Sequence, residues 1–298
     1  MNETIALIGF GEAGHTFTQA GGWRESARAF DIKTQDEATA PAMRASYAIC
    51  GVTGCETLAQ ALDGASIVLS LVTADQTPGA ALAAAGGFPT GALFFDMNSV
   101  SPGAKQRNAQ AIEAAGGRYV DVAVMAPVQP AALKVPLLVS GPHAEAGAEA
   151  LLAIGFANVS ICGDRVGAAS ATKMVRSVMI KGIEALTAEM LLAAQQAGVT
   201  DAVLGSLGGD WRERADYNLD RMLAHGLRRA AEMEEVVATL TELGIDPLLT
   251  RGTVVRQRAM GELLAAGDAV PDGFAAKLAL LRERHPELTY DKAEQPPA

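Results

Sequence analysis

Two cores of roughly 100–200 residues each suit a chain of 298 residues better than one does, and a composition that is 49% hydrophobic and 19% charged excludes disorder and suits close helix-on-sheet packing. A formal net charge of −10, with no dense run of Lys and Arg, excludes nucleic acid as a partner but leaves room for an anionic small molecule held by a few local basic groups. Cys50, Cys55 and Cys162 match neither a disulfide framework nor a zinc site, so idle thiols in a reducing cytoplasm and no bound metal are expected.

The first residues enter a strand pattern without a basic segment or a cleavage site, and no export is expected. Short β-branched runs then alternate with Ala-rich helical stretches, the runs falling at residues 5–8, 29–32, 66–71, 93–96, 119–124, 137–140 and 159–161. Each parallel crossover needs a connection of helix length, so this half predicts an α/β Rossmann domain with a mostly parallel sheet over residues 1–165. After Gly163 the strand signals stop. Helical patterns cover residues 168–197, 216–243, 248–264 and 273–282, with Gly198 as a C-cap and Gly244 with Pro247 ending another helix. An all-α domain over residues 166–298 follows, its last dozen residues, with Pro286, Pro296 and Pro297, reading as a frayed tail. The most apolar helix carries Lys181, Glu184 and Glu189, so no membrane span is expected.

Gly9, Phe10, Gly11, Glu12, Ala13 and Gly14 follow the first strand and open a helix. Gly9 permits a tight turn, Gly11 lets a pyrophosphate approach bare backbone, and Gly14 lets the helix lie close to the sheet with its amides toward the phosphates. Asp31, about twenty residues on at the end of the next strand, is placed to take the adenine-ribose hydroxyls. Its charge repels a 2′-phosphate and favours NAD over NADP, while Lys33 partly offsets that repulsion.

On the helix over residues 168–197, Lys173, Ser177, Lys181 and Glu184 interrupt an apolar sequence at spacings that share one face. A lysine there is costly unless paired, and burial lowers a lysine's pKa toward the range where it exchanges a proton at neutral pH. The same pattern also suits an interdomain helix whose lysines snorkel or pair with Glu184.

These segments, in this order, resemble the β-hydroxyacid dehydrogenase family, which includes 3-hydroxyisobutyrate and 6-phosphogluconate dehydrogenases, and the resemblance covers nearly the whole chain. Beside the glycine turn, Asp96-Met97-Asn98-Ser99-Val100-Ser101-Pro102 is similar to the family's D-x-S-T-x-S-P. Asp121-Val122-Ala123-Val124-Met125-Ala126-Pro127 stands where the family has D-A-P-V-S-G-G, and Gly167 to Ser177 where it has G-x-G-x-x-x-K-x-x-N-N. The resemblance implies that Lys173 is the catalytic acid/base and Ser177 its neighbour on the substrate oxygen. It also implies cofactor contacts at Val72, Thr73, Asn98 and Ser99, substrate contacts at Ser99, Met125, Ala126 and Arg176, and a homodimer. Met125, Ala126 and Pro127 replace the Ser-Gly-Gly of the substrate loop, and Arg176 and Ser177 replace the Asn pair, so 3-hydroxyisobutyrate is not the expected substrate. The pattern looks like an uncharacterised, 6-phosphogluconate dehydrogenase-like branch.

The expected activity is hydride transfer between nicotinamide and a β-hydroxyacid or related anionic hydroxyl compound. An imine reductase and a nucleotide-sensing Rossmann protein without catalysis are the alternatives, and Lys173 argues against both.

Overall fold

The computed structural model describes residues 4–265 and 267–284, and the predicted tail from Pro286 onward lies outside them. The chain divides into two compact units, one running to Met174 and one starting at Val175. The expected division at residue 165 thus sits before the first turns of a long helix, and those turns go with the sheet, for a reason that lies in Asp121 below.

In the first unit, strands β1 (Ile5–Ile8), β2 (Ala27–Phe30), β3 (Thr53–Gly54), β4 (Ile67–Ser70), β5 (Leu93–Asp96), β6 (Arg118–Val124), β7 (Leu137–Ser140) and β8 (Val159–Gly163) form one sheet in the order β3-β2-β1-β4-β5-β6-β7-β8. Every pairing is parallel except β6 with β7. Two readings of the sequence need correcting here. The second strand ends at Phe30, so Asp31 stands just past it as the cap of a 3-10 turn. The two-residue β3 has no counterpart among the predicted strands, being too short to show alternation.

Helices α1 (Glu12–Gly21), α2 (Ala40–Cys50), α3 (Leu58–Leu62), α4 (Thr77–Ala85), α5 (Pro102–Ala114) and α6 (Ala144–Ala153) cover the sheet, and α7 (Ala168–Gln196) begins in this unit. Successive strand residues point to opposite faces. Ile5, Leu7, Ile67, Leu69, Leu93 and Phe95 enter one core, while Ala6, Ile8, Val68 and Phe94 enter the other. Both faces are buried, which is why these strands read as continuous apolar runs. Helix α5 starts where Ser101 accepts from Ala104 N and Pro102 takes the first turn.

The second unit holds the rest of α7 with α8 (Thr200–Leu207), α9 (Trp211–Glu242), α10 (Leu248–Gly261) and α11 (Phe274–Glu283). Helix α8 has no predicted counterpart, and α9 begins at Trp211 rather than at 216. Leu191, Leu219, Met222, Met260 and Leu281 anchor its core. Helices α9 and α10 touch backbone to backbone, because a Cβ on Gly226 would collide with Gln257 O. Within that core Arg229 pairs with Glu184, which also accepts from Gln257 Nε2 at 2.8 Å. Lys181 pairs at 2.6 Å with Glu232 on α9, not with Glu184. No described helix is long and apolar enough to cross a membrane.

Candidate active site

The order of strands reverses between β1 and β4, and in open α/β sheets ligands bind at the carboxyl ends of the strands at such a point. Gly9 leaves β1 there with φ +87°, and a Cβ on it would come within 2.8 Å of Leu71 O, just past β4. Glycine at 9 is therefore demanded by the fold itself. A Cβ on Gly14 would press on Gly9 O at 3.1 Å and on the Phe10 ring at 3.2 Å, so the third glycine sets how closely α1 lies on the turn.

Gly11 differs from both. Its φ of −84° suits any residue, and a Cβ there would meet nothing within 4 Å. Gly11 is the N-cap residue of α1, so this open position adjoins the start of the helix, where backbone amides can receive an anion such as a pyrophosphate. Glu12 is exposed and Ala13 half-buried beside it.

Asp31 is already oriented: Oδ2 accepts from Phe10 N at 2.8 Å and Oδ1 from Lys33 N at 3.0 Å. One carboxylate thus links the end of β2 to the glycine turn. Lys33 is exposed next to it, and Val72 and Thr73 continue from β4, half-buried and exposed. These residues fit a dinucleotide.

A row of facing residues crosses the sheet near the same edge: Ile8, Ser70, Asp96, Asp121 and Ser140 are successive cross-strand partners. The last four are polar and fully or almost fully buried, so their groups must satisfy one another. Lys105, from α5 and itself 0% exposed, inserts its ammonium among them, 2.9 Å from Asp96 Oδ1 and 3.4 Å from Asp121 Oδ1. Asp96 Oδ2 accepts from Asn108 Nδ2 at 3.0 Å and Tyr119 Oη at 2.7 Å. Burial is the strongest single influence on Asp96 and pushes its carboxyl up, but the Lys105 charge and the donors from Asn108, Tyr119 and Lys105 together outweigh it and hold the pKa below 3.8. Tyr119 is driven well above 10.0, by burial first and then by the two carboxylates.

From this row two segments project. Asn98 donates through Nδ2 to Asp96 Oδ1 at 2.8 Å and to Ser70 Oγ at 2.9 Å, and its own N–H reaches Asp96 Oδ1 at 3.1 Å, which shapes the turn bearing Ser99. On the other side Asp121 Oδ2 accepts from Gly167 N and Ser170 N, each at 3.1 Å, and Ser140 Oγ accepts from Ala169 N at 3.0 Å. Asp121 therefore caps α7 from a strand 46 residues earlier, which is why that helix begins in the first unit.

One turn further on, Lys173 Nζ donates to Ser99 Oγ at 2.6 Å. The structure thus brings together Lys173, Ser99 and Asn98. Met125 is half-buried and Ala126 exposed after β6, with Met125 N donating to Pro136 O at 2.9 Å. Arg176 and Ser177 follow on α7 in the second unit, exposed and buried respectively.

Sequence reasoning missed Lys105, Asn108, Ser70 and Ser170. Lys105 had a signal: with Asn108 and Ile112 it lies at three-and-four spacing on the buried face of α5.

Residues 4–163 match the family described as the NAD binding domain of 6-phosphogluconate dehydrogenase, and residues 194–260 match a domain of unknown function, DUF1932. A conserved hypothetical protein from Sinorhizobium meliloti 1021 is 40% identical with a TM-score of 0.76, over 95% of this chain and 97% of that one. The conserved protein MTH1747, described as structurally similar to 3-hydroxyacid dehydrogenases, is 29% identical with a TM-score of 0.68, over 87% of this chain and 96% of its own. The fold is shared with a 3-hydroxyisobutyrate dehydrogenase of Mycobacterium tuberculosis at 20% identity and a TM-score of 0.69, over 95% and 100% of the two chains.

Proposed function

The chain belongs to the β-hydroxyacid dehydrogenase-like family, in an uncharacterised branch, and from that premise we propose that it is an NAD(P)-dependent oxidoreductase acting on a β-hydroxyacid or a related anionic hydroxyl compound. The observation that carries the reading is the 2.6 Å contact between Lys173 Nζ and Ser99 Oγ, built on the polar row at the carboxyl edge of the sheet.

Gly9, Phe10, Gly11, Glu12, Ala13 and Gly14 would hold the pyrophosphate and Asp31 the adenine ribose, with Lys33, Val72, Thr73, Asn98 and Ser99 as the remaining contacts. Asp31 makes NAD the preferred form. When bound, the cofactor supplies the hydride acceptor or donor. Lys173 takes the substrate hydroxyl proton in oxidation and returns it in reduction, and Ser99 keeps Nζ aimed while that proton moves. Ser177 positions the substrate oxygen. Arg176 meets the substrate's anionic group, while Met125 and Ala126 line the pocket with apolar side chains where the family motif has serine and glycine. A nucleotide sensor would have no use for the Lys173–Ser99 pair, and an imine reductase would not need its lysine.

The test is a panel of hydroxyacids, sugar acids and β-hydroxy amino acids, run with NAD and NADP on wild type and Lys173→Met. Turnover of at least one compound by wild type, absent in the variant, is the expected result. Tight cofactor binding with no turnover of any compound overturns it in favour of a sensor.

A further inference from the structure

We propose that Lys105 is a positioning residue for the Ser99–Lys173 pair: it ties Asp96 to Asp121 and so fixes the turn that carries Ser99 against the first turn of α7 that carries Lys173. The activity arm of this proposal rests on the functional reading above; its structural arm does not.

Asp96 and Asp121 are cross-strand neighbours, and both are 0% exposed. Two carboxylates so placed repel, and without a counter-charge one of them would take up a proton. Lys105 supplies that charge and does more than neutralise. Its ammonium also donates to Asp96 O at 2.5 Å and reaches Val122 O at 3.5 Å, so it grips the backbone of β5 and of β6 as well as their side chains.

Each carboxylate in turn organises one half of the pair. Asp96 shapes the turn through Asn98, next to Ser99. Asp121 receives Gly167 N, Ser170 N and Ser170 Oγ, one turn before Lys173. A buried ion cluster is a poor way to gain stability, because desolvation offsets the attraction. What this one provides is register: with Lys105 in place, the two segments hang from a single point, and the 2.6 Å contact follows.

Removing the lysine alone leaves two facing carboxylates, so Lys105→Met is expected to unfold at a lower temperature than wild type. Lys105→Met/Asp121→Asn separates charge from position. The cluster's net charge stays at minus one, as in wild type, and the oxygen of the introduced amide can keep the Gly167 and Ser170 donors while its NH2 turns to the space vacated by Lys105. Four quantities are read on the full chain: thermal midpoint, NADH affinity, the lysine 13Cε resonance assigned to Lys173 by its loss in Lys173→Met, and kcat with KM on a substrate from the panel.

The double variant should regain most of the thermal midpoint and keep NADH affinity within about threefold. Its Lys173 resonance should stay displaced from the wild-type position, with kcat at least about tenfold lower and KM little changed, the pattern of a misplaced group. If resonance and kcat return to wild type together with stability, Lys105 only balances charge and the proposal falls. A displaced resonance with undiminished kcat would uphold the positioning role and sink the catalytic reading of Lys173. Should Lys105→Met fail to fold, the double variant alone decides.

Discussion

Lys173 Nζ and Ser99 Oγ meet at 2.6 Å although 74 residues separate them in the chain. The two are presented by different elements that share one buried charge cluster, so the contact is a product of the sheet and not of either segment alone. Lys173→Met should lower kcat at least ~10²-fold, the low end for losing a positioned acid/base. NADH affinity should hold, because the proposed contacts to the cofactor's phosphates and ribose lie at the glycine turn and Asp31. Steady-state rates and fluorescence titration of NADH check both halves; a variant with near wild-type kcat would remove Lys173 from the mechanism.

Gly9 and Gly11 should respond in opposite ways to the same substitution. Gly9→Ala forces a Cβ to 2.8 Å from Leu71 O at φ +87° and should cost at least about 2 kcal/mol in denaturant unfolding. Gly11→Ala meets no protein atom within 4 Å and should change stability by less than about 0.5 kcal/mol, yet weaken NADH binding about tenfold, some 1.4 kcal/mol. Unimpaired NADH binding by Gly11→Ala would show that no phosphate passes over it.

Asp31 holds the turn, accepting from Phe10 N and Lys33 N, and in the proposed function it also takes the adenine ribose. Asp31→Asn removes the charge while keeping an acceptor, and should narrow the gap between NAD and NADP affinities. Asp31→Ala should in addition weaken both, by loosening the turn. Titration of both cofactors into the three proteins is the measurement, and tighter NADP than NAD binding by wild type would refute the assignment.

The Glu184–Arg229 pair, 3% and 6% exposed, predicts strong non-additivity. Arg229→Met strands a buried carboxylate whose other donor is Gln257 and should cost about 3–5 kcal/mol. Glu184→Met/Arg229→Met should cost less than that single change, on the order of 1–3 kcal/mol for the Gln257 amide left without Glu184. A double-mutant cycle by urea unfolding reads this directly, and additive losses would contradict it.

Asp96 gives a pH dependence with a definite sign. Its folded-state pKa is held below 3.8, so between the folded and unfolded pKa values the unfolded chain binds more protons than the folded one. The stabilisation is complete above 3.8 and is lost as pH falls through the folded pKa. Without Lys105 the carboxyl rises, so the stability gap between wild type and Lys105→Met should be largest near neutrality and shrink on acidification. Urea midpoints across the acid range test it; a gap that widens in acid would be inconsistent with the pair.

Local features were readable from the chain alone. The glycine turn and Asp31 are sequence neighbours of a strand end, and the stripe holding Lys173 follows helical periodicity, so short-range geometry sufficed to find them. β3 and α8 escaped because two and eight residues carry too little periodic signal. Helical spacing makes Glu184 a candidate partner for Lys181, but the carboxylate that Lys181 meets comes from Glu232, 51 residues away on another helix.

The amino-acid sequence by itself determined the class of the fold, the switch from strands to helices, the glycine turn and the polar stripe that holds Lys173, because each is written in adjacent residues or in a regular spacing. Only the tertiary structure decided that Lys173 meets Ser99, that Asp121 starts α7, and that Lys105 is buried between two carboxylates. Those contacts depend on strand order and on register: the pairing of Asp96 with Asp121 sets two charges side by side, and a shift of one residue would turn one of them to the opposite face.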